Sequence, residues 1–262
     1  MKKLFALSLA LVMTLSLAAC GGKKTEAPAD TENKTGTETE TPTTGDVKVA
    51  VVLKTLASEY WGYVEAGCKA AGVLAFTGDN ALGVQFELGL EAIRANGGFG
   101  VPTVKPWRDN AKIIARAEAC AEAGCPAVAC DVDTAAYANM GSAASELCAK
   151  SVADLAEIAR NSPIPFIAKG VMTAEGAVKC AEAGCAGIIV STHGGRVITS
   201  AQATAEVLPE IRAAVGSNLT VIVDGGIRTG ADIFKVLALG ADAAMIGRPF
   251  VVAAVGGSAL GS

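Results

Sequence analysis

Eight short apolar runs, separated by alanine-rich stretches of helical character, leave this chain very few folds to choose from. Seven of them are Leu74 to Thr77, Val101 to Val104, Ala127 to Cys130, Pro165 to Ala168, Gly187 to Val190, Thr220 to Val223 and Ala243 to Ile246; Val47 to Leu53 supplies the eighth. Runs this short, apolar on both faces and rich in β-branched residues, read as buried parallel strands. Strand and helix in alternation imply right-handed crossovers and a parallel sheet. Eight is the number that closes an α/β barrel, and 262 residues suffice for one without large additions.

An internal echo supports repeated units. Cys120-Ala-Glu-Ala-Gly-Cys125 precedes one strand, Cys180-Ala-Glu-Ala-Gly-Cys185 another, and Leu239-Gly-Ala-Asp242 the last. Each places a glycine where a helix ends, as a left-handed cap requires. The paired cysteines do not form a metal motif: their spacing straddles a helix end, and His193 is the single histidine, so no metal is expected. The cysteines read as small apolar fillers and not as a disulfide framework, which suits a reducing compartment. A net charge of -4 and a pI near 5.2 leave no basic footprint for nucleic acid.

The N-terminus has a different character. Lys2 and Lys3, the apolar run Leu4 to Leu17 and the sequence Leu17-Ala18-Ala19-Cys20 describe an export signal, too short for a comfortable membrane span. That tetrapeptide resembles the lipobox of bacterial lipoproteins, which implies lipidation of Cys20 and membrane anchoring. Residues 21–45 are a polar run of Thr, Glu, Lys, Pro and Gly, read as a disordered linker. Residues 46–72 read as a strand followed by a helix, Glu59 to Ala71, and resemble the opening of a periplasmic sugar-binding protein. The domain reading is therefore 1–20 leader, 21–45 linker, 46–72 strand and helix, 73–262 barrel.

Chemistry concentrates late in the chain. Gly187 to Val190 runs straight into Ser191-Thr-His193-Gly-Gly-Arg196, which puts an imidazole and a guanidinium at the carboxyl end of a strand, where barrels carry their functional groups. Thr220 to Val223 leads into Asp224-Gly225-Gly226-Ile-Arg228-Thr-Gly and a helix starting near Ala231. Turn amides, a helix N-terminus and Arg228 together make an anion site. The next strand ends in Gly247-Arg248-Pro249, and two late strands ending this way form a phosphate site.

These three motifs, with Pro165-Phe-Ile-Ala-Lys169-Gly170 as a fourth, occur in the order and spacing of the FMN-dependent α-hydroxy acid oxidases and dehydrogenases, the glycolate and lactate oxidase group, which residues 73 to 257 resemble. The earlier part of the likeness is carried by Phe76-Thr77-Gly78-Asp79, Val101-Pro-Thr103-Val-Lys105-Pro-Trp107 and Asp131-Val-Asp133. The resemblance implies a (β/α)8 TIM barrel, bound FMN and a small 2-hydroxy acid substrate; a homo-oligomer is an assembly it allows. Lys169 would sit beside the flavin ring and His193 would take the substrate's hydroxyl proton. Asp133 would hydrogen-bond His193, and Arg196 would clamp the substrate carboxylate, with Lys105 also at the substrate. Thr77, Thr103, Asp131 and Ser191 would line the flavin. Asp224, Gly225, Gly226, Arg228, Gly247 and Arg248 would hold the ribityl phosphate.

The chain departs from the family pattern in places. Thr103 and Lys105 stand where a glutamine and a tyrosine are usual, Asp131 replaces a threonine, and Thr199 replaces an aspartate. No second arginine follows Asp133 in Thr134 to Met140. The first strand is a substituted one, and the covering helix after the last strand is expected to be missing. Beside the oxidoreductase stand two alternatives, a periplasmic sugar-binding lipoprotein of an ABC transporter and an inactive fusion product. The leader makes the chain a membrane-anchored lipoprotein, whereas the barrel suits the cytoplasm. An exported chain is accordingly expected to carry little flavin, and a chain starting at Asp46 and made in the cytoplasm to carry more. Equal flavin absorbance per mole in the two preparations would overturn that expectation.

Overall fold

The computed structural model describes residues 48–53, 74–78, 84–95, 97, 100–136, 144–197, 200–250 and 252. Eight parallel strands close on one another in chain order: β1 (Lys48–Leu53), β2 (Leu74–Gly78), β3 (Gly100–Val104), β4 (Val128–Asp131), β5 (Phe166–Lys169), β6 (Gly187–Val190), β7 (Thr220–Val223) and β8 (Ala243–Ile246). Closure falls to β1, which pairs with β2 through Ala50 and Leu74 and with β8 through Lys48 and Ala243. The segment that resembles a sugar-binding protein's opening thus supplies a barrel strand. Cys20, the leader, the linker and Glu59 to Ala71 lie outside the described residues, whereas residues 248–250 and 252 are helical, so a helix begins after β8 where none was expected.

β4 and β5 run one residue further than expected and start one later. Pro165 has no N–H to give a ladder, so β5 begins at Phe166, and the Pro165 carbonyl instead accepts from Val128 N at 3.0 Å. Asp131 and Lys169 remain in the strands because they are register partners and hold each other as an ion pair.

Six helices fill the crossovers among the described residues: α1 (Val84–Ala95), α2 (Asn110–Glu122), α3 (Val152–Asn161), α4 (Ala174–Glu182), α5 (Thr204–Val215) and α6 (Gly230–Ala238). Side-chain caps start four of them: Asp109 on α2, Ser151 on α3, Thr173 on α4 and Thr229 on α6. The echoed sequences end three. Gly124, Gly184 and Gly240 have φ of 80°, 82° and 112°, and Cys125, Cys185 and Ala241 donate back to the carbonyls of Cys120, Cys180 and Val236. This double-bonded helix end normally places an apolar contact between those same two positions. Cys120 with Cys125, Cys180 with Cys185, and Val236 with Ala241 fill it, all of them buried.

The core has two layers, as strands covered on both faces require. Outside the sheet, Val128, Cys130, Ala168, Ile188, Val190, Val221, Val223 and Ala244 pack on helix residues such as Ile113, Ile158, Leu208 and Ile211. Inside the barrel, Phe76, Val101, Ala127, Ala129, Ile167, Ile189, Ile222, Ala243 and Met245 form a separate apolar plug. At Gly187 the backbone of β7 comes close to β6. A Cβ there would stand 2.8 Å from the Thr220 backbone oxygen, which cannot move aside as a side chain could. Gly187→Ala should therefore destabilise the barrel by about 1–3 kcal/mol through overpacking, read as a lower urea midpoint with an unchanged m-value.

Candidate active site

The inward-facing positions of each strand repeat every second residue, and continuing that count past the plug locates the polar groups. Val101 is followed by Thr103 and Lys105, Ala127 and Ala129 by Asp131 and Asp133, and Ile167 by Lys169. Ile189 leads to Ser191 and His193, Ile222 to Asp224, and Met245 to Gly247. The expected site residues of β3 to β8 thus share one layer at the carboxyl ends of the strands. Thr77 lies in β2 in register with Pro102, but its side chain is outside the described residues, as is Thr199.

Asp131 is at the centre of this layer. Its carboxylate, 3% exposed, accepts from Lys169 Nζ at 2.8 Å on one oxygen and from Lys105 Nζ at 2.7 Å on the other. Burial alone would push this carboxyl up, but the two ammonium groups outweigh it and hold Asp131 well below the usual carboxylate range. Burial likewise disfavours the Lys169 ammonium, and Asp131, Asp224 and Asp133 outweigh that, so its pKa stands above the ordinary lysine value. Lys105, expected at the substrate, is buried and its ammonium is bound to Asp131.

His193 sits in a short 3-10 turn, His193–Gly195. Its φ of 55° is the only left-handed value of a non-glycine residue among the described residues, a conformation that costs energy and clusters at functional sites. Gly194 and Gly195 continue it at φ of 67° and 74°. The turn is pinned at both ends: His193 N donates to Ser191 Oγ at 3.0 Å, and Arg196 Nε donates to the His193 carbonyl at 2.8 Å. The ring turns Nδ1 inward, 3.3 Å from Asp133 Oδ2, 3.4 Å from Lys169 Nζ and 3.8 Å from Asp131 Oδ1. The Asp133 approach is close but lacks the alignment of a hydrogen bond, and both Asp133 oxygens are enclosed without such a partner. Asp131, Asp133 and His193 together have the spacing of a metal trio, but two ammonium groups already answer the charge of Asp131.

Gly170 makes this arrangement possible and was missed as a site residue. At φ 97° a Cβ would fall 2.4 Å from Asp133 Cγ, so only glycine lets the carboxylate in. The Lys169-Gly170 pair at a strand end was the available signal. Thr204 was missed too. Its hydroxyl donates to the Asp224 carbonyl at 2.7 Å and fixes the start of the glycine turn from a different helix.

The anion turn differs from expectation in one respect. Gly225 and Gly226 take φ of 92° and 77°, and space around Gly226 is open, which suits close approach of a ligand to the backbone. The start of α6, however, is taken: Asp232 Oδ2 accepts from the amides of Arg228 and Thr229 at 3.0 and 2.9 Å. The helix N-terminus therefore spends those amides on its own cap, because a carboxylate in the first turn is the nearest anion. Arg228 is exposed, with one Nη1 bond to its neighbour's carbonyl. Arg248, also exposed, brings Nη2 within 3.6 Å of where a Gly194 Cβ would stand, close to Arg196. Asp224 keeps Oδ1 enclosed and without a hydrogen bond, and burial pushes its carboxyl up.

Residues 137–261 match the family model described as FMN-dependent dehydrogenase. The chain is 50% identical over 109 residues to an L-lactate oxidase of Lactobacillus jensenii, covering 42% of this chain and 27% of that protein. It is 50% identical over 88 residues to a peroxisomal (S)-2-hydroxyacid oxidase of Arabidopsis thaliana, covering 34% of this chain and 24% of that one. The likeness thus spans about a quarter of these relatives' length. Among solved structures, a mandelate oxidase with benzoyl-formic acid superposes with a TM-score of 0.66 at 29% identity, covering 80% of this chain and 67% of that one. By name the relatives are oxidases of hydroxy acids, and the closed barrel of this chain has the fold of the mandelate oxidase.

Removing the Asp131 charge strands two buried ammonium groups. Asp131→Asn should lower stability at pH 7 by about 3–5 kcal/mol, as breaking a buried pair does. Because the folded-state value is depressed, this contribution is complete above about pH 4 and is lost as the pH falls below the usual carboxylate range. Urea unfolding of both proteins should show the gap closing in acid.

Proposed function

We propose that this chain is an FMN-dependent oxidoreductase that converts a small 2-hydroxy acid to the 2-oxo acid. One observation carries the reading: Lys169, His193 and Asp133 converge at the carboxyl ends of β4, β5 and β6, in a barrel whose relatives perform that chemistry. The residues fit the cofactor. The open left-handed turn at Gly225 and Gly226, with the guanidinium groups of Arg228 and Arg248, suits a phosphate. The buried cation of Lys169 suits an electron-rich ring. Bound FMN supplies the two-electron acceptor for the α-hydrogen and its electron pair, which the side chains lack.

The protein's own groups do the rest. Nδ1 of His193 faces Asp133 and Lys169, and Nε2 would be the nitrogen that meets substrate. At Nε2 the ring takes the hydroxyl proton, and Asp133 stabilises the imidazolium that results. Arg196, exposed beside it, clamps the carboxylate with a planar fork that fits two oxygens. Thr103 and Ser191, both buried, would line the flavin, and Gly247, which carries no side chain at the end of β8, would take part in holding the phosphate. The leader and Cys20 add membrane attachment to the proposal.

His193→Ala should leave flavin bound while slowing flavin reduction by 2-hydroxy acids by at least ~10²-fold, the scale of a lost general base. Unchanged reduction in stopped-flow measurements would remove His193 from this role. Arg228→Ala should instead release flavin on gel filtration, and full flavin occupancy in that variant would count against a phosphate contact.

A further inference from the structure

Two of the three echoed helix ends carry a thiol at both of the positions that their caps bring together. We propose that Cys120 with Cys125, and Cys180 with Cys185, are two thiol–disulfide sites, each forming a local disulfide by exchange with a small-molecule disulfide while the barrel stays folded. Both pairs belong to the outer layer of the core and lie just before β4 and β6, at the opposite end of the barrel from the polar layer. The proposal does not depend on what the chain catalyses.

The backbone fixes the pairing. At the end of α2, Gly124 N donates to the Ala121 carbonyl at 2.9 Å and Cys125 N to the Cys120 carbonyl at 3.0 Å. At the end of α4, Gly184 N donates to the Ala181 carbonyl and Cys185 N to the Cys180 carbonyl, both at 3.0 Å. A cap bonded twice in this way sets the two outer side chains against one another, and in each pair the thiols hydrogen-bond to one another. A disulfide needs its two residues held close, and here that has been done before any bond forms.

The end of α6 is the internal comparison. It makes the same two bonds, from Gly240 N to the Leu237 carbonyl and from Ala241 N to the Val236 carbonyl, with no thiol at either position. The cap therefore asks only for small or branched apolar side chains. Thiols at all four of the other places are more than packing requires, and they take four of the chain's eight cysteines.

These thiols are 0 to 6% exposed, and buried thiols react slowly. A helix end, however, is where a fold opens most readily. With the last turn open, the thiolate of one cysteine attacks the small disulfide, forming a mixed disulfide and expelling one small thiol. The second cysteine then attacks the protein sulfur of that bond, closing the pair and expelling the second small thiol. Two electrons pass from the pair to the small disulfide, and the two protons leave with the released thiols. The loop closed is so short that little of the unfolded chain is restrained, so the bond tightens a helix end and not the whole fold. In a reducing compartment the pairs stay open and in an oxidising one they close, so one barrel suits either address.

The test is to treat the reduced full-length protein with oxidised glutathione, block remaining thiols with iodoacetamide and map its peptides without reduction. Both pairs should appear as disulfides within their own peptides, each lighter by two hydrogens, with an unchanged far-UV circular dichroism spectrum, and dithiothreitol should reverse them. Exchange of the backbone amides of Cys125 and Cys185 should slow on oxidation, while that of Ala241 stays constant. Alkylation of both cysteines of either pair after the treatment would overturn the proposal. So would bonding to another cysteine, of which Cys130 is the rival because its charge bears on Cys185, or closure only with loss of the native spectrum. In the double variant Cys125→Ala/Cys185→Ala, amide exchange at those two positions should no longer respond to the oxidant; a persisting response would place the protection elsewhere and overturn the proposal. Should that variant fail to fold, the peptide map of the unaltered protein decides.

Discussion

Everything in this molecule depends on closing a parallel sheet with strands of four to six residues. Once β1 bridges β2 and β8, each strand's alternate residues must point into one enclosed space. The lower positions, such as Ala129, Ile167, Ile189 and Met245, meet and exclude water. The next positions on the same faces cannot avoid one another either, so Lys105, Asp131, Lys169, His193 and Asp224 are brought together by strand parity and not by any local signal. A one-residue slip in any strand would turn its polar group outward and an outward aliphatic residue inward.

A layer of charges in such a space is tolerable only if it is internally answered. Three carboxylates, Asp131, Asp133 and Asp224, meet two ammonium groups and one imidazole; Asp131 pairs with Lys105 and Lys169 from the neighbouring strands, and His193 reaches Asp133 across β5. Buried pairs of this kind are poor contributors to net stability, because desolvation offsets most of their attraction. Their value here is orientation. The uneven distribution, with Asp131 doubly bonded and Asp133 without an aligned donor, gives the layer a direction that points toward His193. The left-handed backbone at His193 completes that geometry at a local energetic cost.

Much of this was legible in the residues themselves. Apolar runs bounded by glycine, proline and helical stretches marked the strands to within a residue, and the repeated Ala-Gly pairs before β4 and β6 marked the helix ends, because both signals are local in the chain. The glycine turn after β7 was legible for the same reason. What was not legible depends on who stands beside whom across the barrel. The bond between Lys105, just past the end of β3, and Asp131 in β4 pairs residues 26 apart in sequence. Gly170 gains its importance from Asp133, 37 residues away in sequence, entering the space its side chain would have filled. The capture of two amides by Asp232 is local and could have been foreseen, since a threonine followed three residues later by a carboxylate is a capping signature.

That last feature bears on how firmly the site can grip an anion. Backbone amides at a helix start are fixed dipoles, and their hold is little affected by the medium. Here two of them are already engaged by Asp232, so attraction for an anion at the glycine turn falls more heavily on the guanidinium groups of Arg228 and Arg248, both at the surface. Surface charges act through the surrounding electrolyte, whose screening length shrinks from about 10 Å at 0.1 M to about 3 Å at 1 M. On the proposed reading, the grip of this barrel on a phosphate would be set partly by ionic strength, with tight retention in dilute buffer and easy exchange in brine.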